Sequence, residues 1–99
     1  MKPLLAALLL LSFCLPAMAN APSLKAAEAA TIAQGDLATR GLEDTVYIAE
    51  IVYKGTKLLG GEPAHWEVLW SKELEAQTPG RKEFGLKIKM DGSYTRSVR

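Results

Sequence analysis

The stretch "KEFGLKIKMDGSYTRSV", residues 82–98, decides the fold. In its first half Phe84, Leu86, Ile88 and Met90 alternate with Glu83, Gly85, Lys87 and Lys89, the period of two expected of a strand with one buried face. Asp91-Gly92 is a two-residue hairpin signal, and "SYTRSV" returns as a short last strand. Working backwards, "ELEAQTPGR" turns at Pro79-Gly80, and "WEVLWSK" (66–72) is a strand with Trp66, Val68 and Trp70 on one face. Before it lies a loop, "GTKLLGGEPAH", broken by Gly60, Gly61 and Pro63. "TVYIAEIVYK" (45–54) is β-branched and aromatic, with apolar residues on both parities, which suits a central strand.

One helix precedes these four strands. In "SLKAAEAATIAQGDLATRGL" (23–42), Ala26, Ala29, Ala30, Ala33 and Leu37 fall on one stripe. Ser23 is placed to cap its start. Gly41 and Leu42 are placed as the C′ and C″ residues of a Schellman ending, with Leu42 against Leu37. Gly35 weakens the middle by about 1 kcal/mol relative to alanine, so packing must hold the helix down. The fold expected is α+β: one N-terminal helix packed on a four-stranded antiparallel sheet.

The N-terminal "MKPLLAALLLLSFCLPAMANA" has the build of a secretory signal peptide: Lys2, an apolar run Leu4–Leu15, then Ala17-Met18-Ala19. The run is shorter than the roughly 20 residues of a membrane span. Cleavage is expected between Ala19 and Asn20, because a cut after Ala21 would place Pro22 at the next position. A lipid-bearing role for Cys14 is disfavoured by the bulk of Phe13 before it. The expected domains are therefore a signal peptide, 1–19, and one domain, 20–99, exported to the periplasm or the medium. That domain carries no cysteine and no transmembrane segment. It is neutral overall but uneven: five basic and nine acidic side chains over residues 20–80, six and two over 81–99. Such a basic end can serve a nucleic-acid or membrane arm, but an exported protein rarely meets nucleic acid, and none is expected as a partner.

No catalytic signature is present, and no enzyme, metal or cofactor is expected. His65 is the only histidine, which excludes a His-rich metal site; Glu62 and Glu67 are its nearest carboxylates in sequence. The serines lack a Gly-x-Ser-x-Gly setting, and Gly60-Gly61 has neither the spacing nor the following helix of a phosphate loop. Two groups of residues remain as binding candidates. Trp66 and Trp70 share a strand face about 13 Å apart, as core or as a platform for a sugar or peptide. Lys87 and Lys89, with Arg96 across or diagonal to them, form either a solvated sheet face or an electropositive surface for an acidic partner. If the helix covers one face of the sheet, the other is open to a protein partner or a second copy.

The helix "EAATIAQ" (28–34), the antiparallel sheet and the closing "KIKMDGSYTRSV" together resemble the PepSY domains, small modules of secreted-peptidase propeptides and stand-alone periplasmic proteins. The likeness spans about residues 23–98. Glu28, Ala29, Ile32 and Ala33 fit the family's helix pattern, and Asp91-Gly92 looks like a shortened form of its final D-x-x-T-G turn. Ala26 stands where the family usually has leucine, and the Thr-Gly pair is missing. The resemblance implies a non-catalytic domain that inhibits or chaperones an exported hydrolase. The other function expected is binding of a small ligand or envelope surface (glycan, peptide or anionic lipid) through Trp66 and Trp70 or through Lys87, Lys89 and Arg96.

Overall fold

The computed structural model describes residues 21–56 and 61–99. The expected signal peptide, with Cys14 and the Ala19/Asn20 cleavage point, lies outside the described residues, as does Gly60. Helix α1 (Ala26–Thr39) is followed by strands β1 (Ile48–Lys54), β2 (His65–Glu75), β3 (Lys82–Lys89) and β4 (Tyr94–Val98). The strands form one antiparallel sheet in the order β1-β2-β3-β4, so the α+β arrangement read from the sequence is the one observed.

The helix starts later than its sequence suggested. Lys25, not Ser23, is the N-cap, and its backbone N–H donates to the Glu28 carboxylate at 2.9 Å. The C-terminus is the expected one. Leu42 N–H reaches the Leu37 carbonyl at 2.9 Å and Gly41 N–H reaches that of Ala38 at 3.1 Å, with Gly41 at φ 69°. These are the two bonds of a Schellman motif, and they satisfy carbonyls that the helix itself leaves open.

The core lies between α1 and one face of the sheet. Ala29, Ala33 and Leu37 face Trp66, Val68 and Trp70 of β2 and Leu86 and Ile88 of β3, with Val46 closing one end. Ala29 and Ala33 are completely buried, and their small side chains let the helix backbone approach the sheet. Nearly all the large apolar area therefore comes from the strands.

Register shifts interrupt all three strand pairings, β2–β3 between Leu69 and Leu74 among them, and those in β1 and β3 rewrite the alternation. In β1, Ile48 pairs with Trp70 but Glu50 pairs with Leu69, so Ala49 is an extra residue and the parity changes there. Ile48 lies on the helix side before the bulge, and Ile51 and Tyr53 after it. That is why β1 shows apolar residues on both parities while being an edge strand, not the central strand expected. In β3, Glu83 pairs with Val98 and Gly85 with Ser97, which makes Phe84 the extra residue. Leu86 and Ile88 keep the core face, but the bulge puts Glu83 there in place of Phe84. Phe84 stays half-buried on the other side, with the Arg99 guanidinium 4.7 Å from its ring centre.

Gly85 explains why the bulge sits where it does. A Cβ built on it would lie 1.8 Å from the Val68 carbonyl oxygen and 2.9 Å from the Val68 carbonyl carbon. A glycine inside a strand often marks such a close approach of another backbone. The β3–β4 connection also differs from the two-residue turn expected. Gly92 N–H donates to the Lys89 carbonyl at 3.0 Å and Lys89 N–H to the Ser93 carbonyl at 2.8 Å, with positive φ at Gly92 but not at Asp91. This is the three-residue loop in which a type I turn ends in a glycine bulge. Asp91 fastens it by accepting from the Ser93 N–H and hydroxyl, bonds that hold its carboxyl below the usual range.

Candidate functional site

Asp36 and Arg40 stand one helical turn apart at the end of α1, a spacing at which opposite charges meet. Arg40 is the C-cap residue, where the negative end of the helix dipole favours a cation. The bulge at Phe84 aims Glu83 up at the same place. Arg40 then forks onto Glu83, with Nη1 donating to Oε1 at 2.9 Å and Nη2 to Oε2 at 2.7 Å, while Nη2 also donates to Asp36 at 2.7 Å. Trp70 donates its indole N–H to Glu83 at 2.7 Å. From β4, Tyr94 donates its hydroxyl to Asp36 at 3.2 Å, Arg96 Nη2 donates to Asp36 at 3.3 Å, and Arg96 Nε lies 3.7 Å from Glu83.

Both carboxylates are almost wholly buried. Each accepts three hydrogen bonds, at least two of them from an arginine. Burial of an unpaired carboxylate would be prohibitive, so the arginines are a condition of the arrangement. Hydrogen bonding to Glu83 holds the Arg40 guanidinium above its already high value. The Tyr94 phenol is also raised, first by loss of water around it and then by the Asp36 charge. With their acceptor sites filled by donors that keep their protons, Asp36 and Glu83 act as struts between helix, sheet and tryptophan.

Next to the network a groove of about 710 Å³ opens between the end of α1, the β2–β3 hairpin tip and β4. Arg40, Arg81 and Arg96 line it together with Glu75 and Glu83. Glu75 pairs with Lys82. Arg96 is part-exposed, and the exposed Arg81 guanidinium makes no side-chain hydrogen bond or ion pair among the described residues. The rim of the groove is therefore cationic over an internally neutral floor.

The structure separates the residues that the sequence grouped. Trp66 and Trp70 belong to the core. Trp66 donates to the Leu24 carbonyl at 2.7 Å and sits 5.2 Å from the Tyr53 ring, so neither indole forms an open platform. This corrects the platform reading: the parity that aligned them also turned them under the helix. Arg96 is not on the face of Lys87 and Lys89. It pairs with Leu86 and points to the helix side, whereas Lys87 pairs with Thr95 on the other face and meets Glu62. That face is mixed rather than broadly apolar, with Glu50, Glu67, Lys87 and Lys89 around Val52 and Leu69. His65 begins β2, is buried, and has its ring nitrogens 2.9 Å from the Pro63 carbonyl and 3.0 Å from Glu67. No group of three potential metal ligands occurs among the described residues.

Sequence reasoning missed Asp36, Arg40, Glu83 and Tyr94. The Asp36/Arg40 spacing was a visible local pair, and Gly85 was a visible bulge signal, but Glu83 read as surface until the bulge was placed. No family model, curated protein or solved structure matches this chain. Among the described residues no helix is long and apolar enough to cross a membrane.

Proposed function

We propose that this chain is an exported, non-catalytic binding module of PepSY-like kind, which docks a protein partner of the cell envelope through a free edge of its sheet, as inhibitor or chaperone of a secreted hydrolase. The observation that carries the reading is the outer edge of β4. Lys82 and Arg99 exchange both backbone bonds at 2.9 Å, and Lys89 donates to Ser93. In an antiparallel ladder paired and outward-facing residues alternate, so the backbone groups of Tyr94, Arg96 and Val98 face away from β3. A row of this kind is a template for an added strand. The β1 edge is a poorer template, since its bulge at Ala49 interrupts it. The signal-like leader and the PepSY-like layout support the envelope setting and the regulatory role.

A photo-crosslinking side chain at Val98, set against one at the exposed helix position Gln34, tests this in envelope extracts. A discrete protein adduct from position 98 alone is expected. No adduct, or equal capture from both positions, overturns the reading.

A further inference from the structure

Resting on that reading, we infer that the segment taken up is an extended acidic peptide, which adds to β4 as a fifth strand and places a carboxylate on Arg81. Three features of one place point to it. The edge residues Tyr94, Arg96 and Val98 also carry their side chains on the helix side, where the groove lies. A strand added there would present every second side chain to the same groove. The groove's charge selects among those side chains. Arg40 is committed to Asp36 and Glu83, and Glu75 to Lys82. Arg96 holds the two buried carboxylates only at 3.3 and 3.7 Å, and Arg81 holds none. Arg40 and Arg96 together balance Asp36 and Glu83, so the uncompensated charge of the groove is positive and belongs to Arg81, a guanidinium suited to forked recognition of a carboxylate. A basic segment would bring like charges together beside Arg81, and a neutral one would leave that cation without a counter-charge.

The test uses isotope-labelled protein purified after export, titrated with three short extended peptides alternating threonine with glutamate, glutamine or lysine. The glutamate peptide is expected to shift the amides of Tyr94, Arg96 and Val98 and the side-chain Nε–H of Arg81. Binding should weaken with salt and disappear when the peptide's alternate amides are N-methylated. Arg81→Glu, at an exposed position outside the network, is expected to weaken it by about five-fold or more, attraction being replaced by repulsion. Equal binding of all three peptides overturns the inference. So does indifference to N-methylation, or shifts confined to the Lys87/Lys89 face. The same holds if anionic vesicles, or concentration of the protein alone, move the β4 amides and the peptide does not. A position-98 adduct in extracts without any glutamate-peptide binding would sink the acidic strand alone; loss of both would sink the binding module as well.

Discussion

Replacing Glu83 with leucine removes the shared acceptor of two Arg40 bonds and the Trp70 indole bond in one step. Breaking a buried ion pair from one side costs about 3–5 kcal/mol, because the remaining charge is left without compensation. Here the low end applies, since Arg40 keeps Asp36 and its side chain is 23% exposed. The expected loss is about 3 kcal/mol, against a total of about 4–12 kcal/mol for a domain of this size. With a urea dependence near 1 kcal/mol per M, the unfolding midpoint should fall by about 3 M. Tryptophan fluorescence reads the transition directly, because both indoles are buried in the native core. Glu83→Gln keeps an acceptor for Trp70 but loses the charge, and should cost less, about 1–2 kcal/mol. In the double variant Glu83→Leu/Arg40→Met no cation is stranded, so its loss should fall short of the sum of the single losses by about 1–2 kcal/mol. An additive cycle, or a Glu83→Leu loss below about 0.5 kcal/mol, would refute the view of the network as a coupled strut.

Three further outcomes follow from the same geometry. Gly85→Ala drives a methyl group into the Val68 backbone, which a side-chain rotation cannot relieve; a loss above about 3 kcal/mol in urea unfolding is expected, and a near-neutral result would deny the close approach. Ala33→Leu overfills the helix–sheet contact at a fully buried position, with an expected loss of about 1–3 kcal/mol by the same assay; a stabilised variant would mean the contact has room to spare. Tyr94 has a raised phenol, so the folded chain keeps a proton that the unfolded chain loses above about pH 10. Its contribution is full below that pH and is lost as pH rises through the folded value. Subtracting the Tyr94→Phe profile from that of the parent should show this alkaline loss, and identical profiles would contradict it.

How much was legible depended on the range of the determining interaction. The end of α1 is local: Gly41 and Leu42 act on carbonyls a few residues back, and their motif formed as read. The strands and their antiparallel order were legible from composition, alternation and turn residues. Parity across a bulge was not, because it depends on where a neighbouring backbone presses. Phe84 therefore read as core and Glu83 as surface, and the structure reverses them. The strand at Ile48–Lys54 misled for the same reason, two half-faces of one core surface passing for two apolar faces. The grouping of Lys87, Lys89 and Arg96 on one face failed through register. Lys87 and Arg96 are near in sequence terms, yet their partners Thr95 and Leu86 put them on opposite sides of the sheet. Pairing of Arg40 with Glu83, and of Asp36 with Tyr94 and Arg96, had no sequence signal beyond the spacing of Asp36 and Arg40 themselves.

The two tryptophans have a consequence for the helix that runs over them. A stripe of methyl groups is smooth, and by itself it would let a cylinder slide along a sheet in steps of about 1.5 Å per residue with little change in contact. Trp66 ties the lead-in at Leu24, and Trp70 ties the far end through Glu83 and Arg40. A slip of one residue would undo both ties at once, so alignment that the alanines leave undetermined is fixed by two pins, one at each end of the shaft.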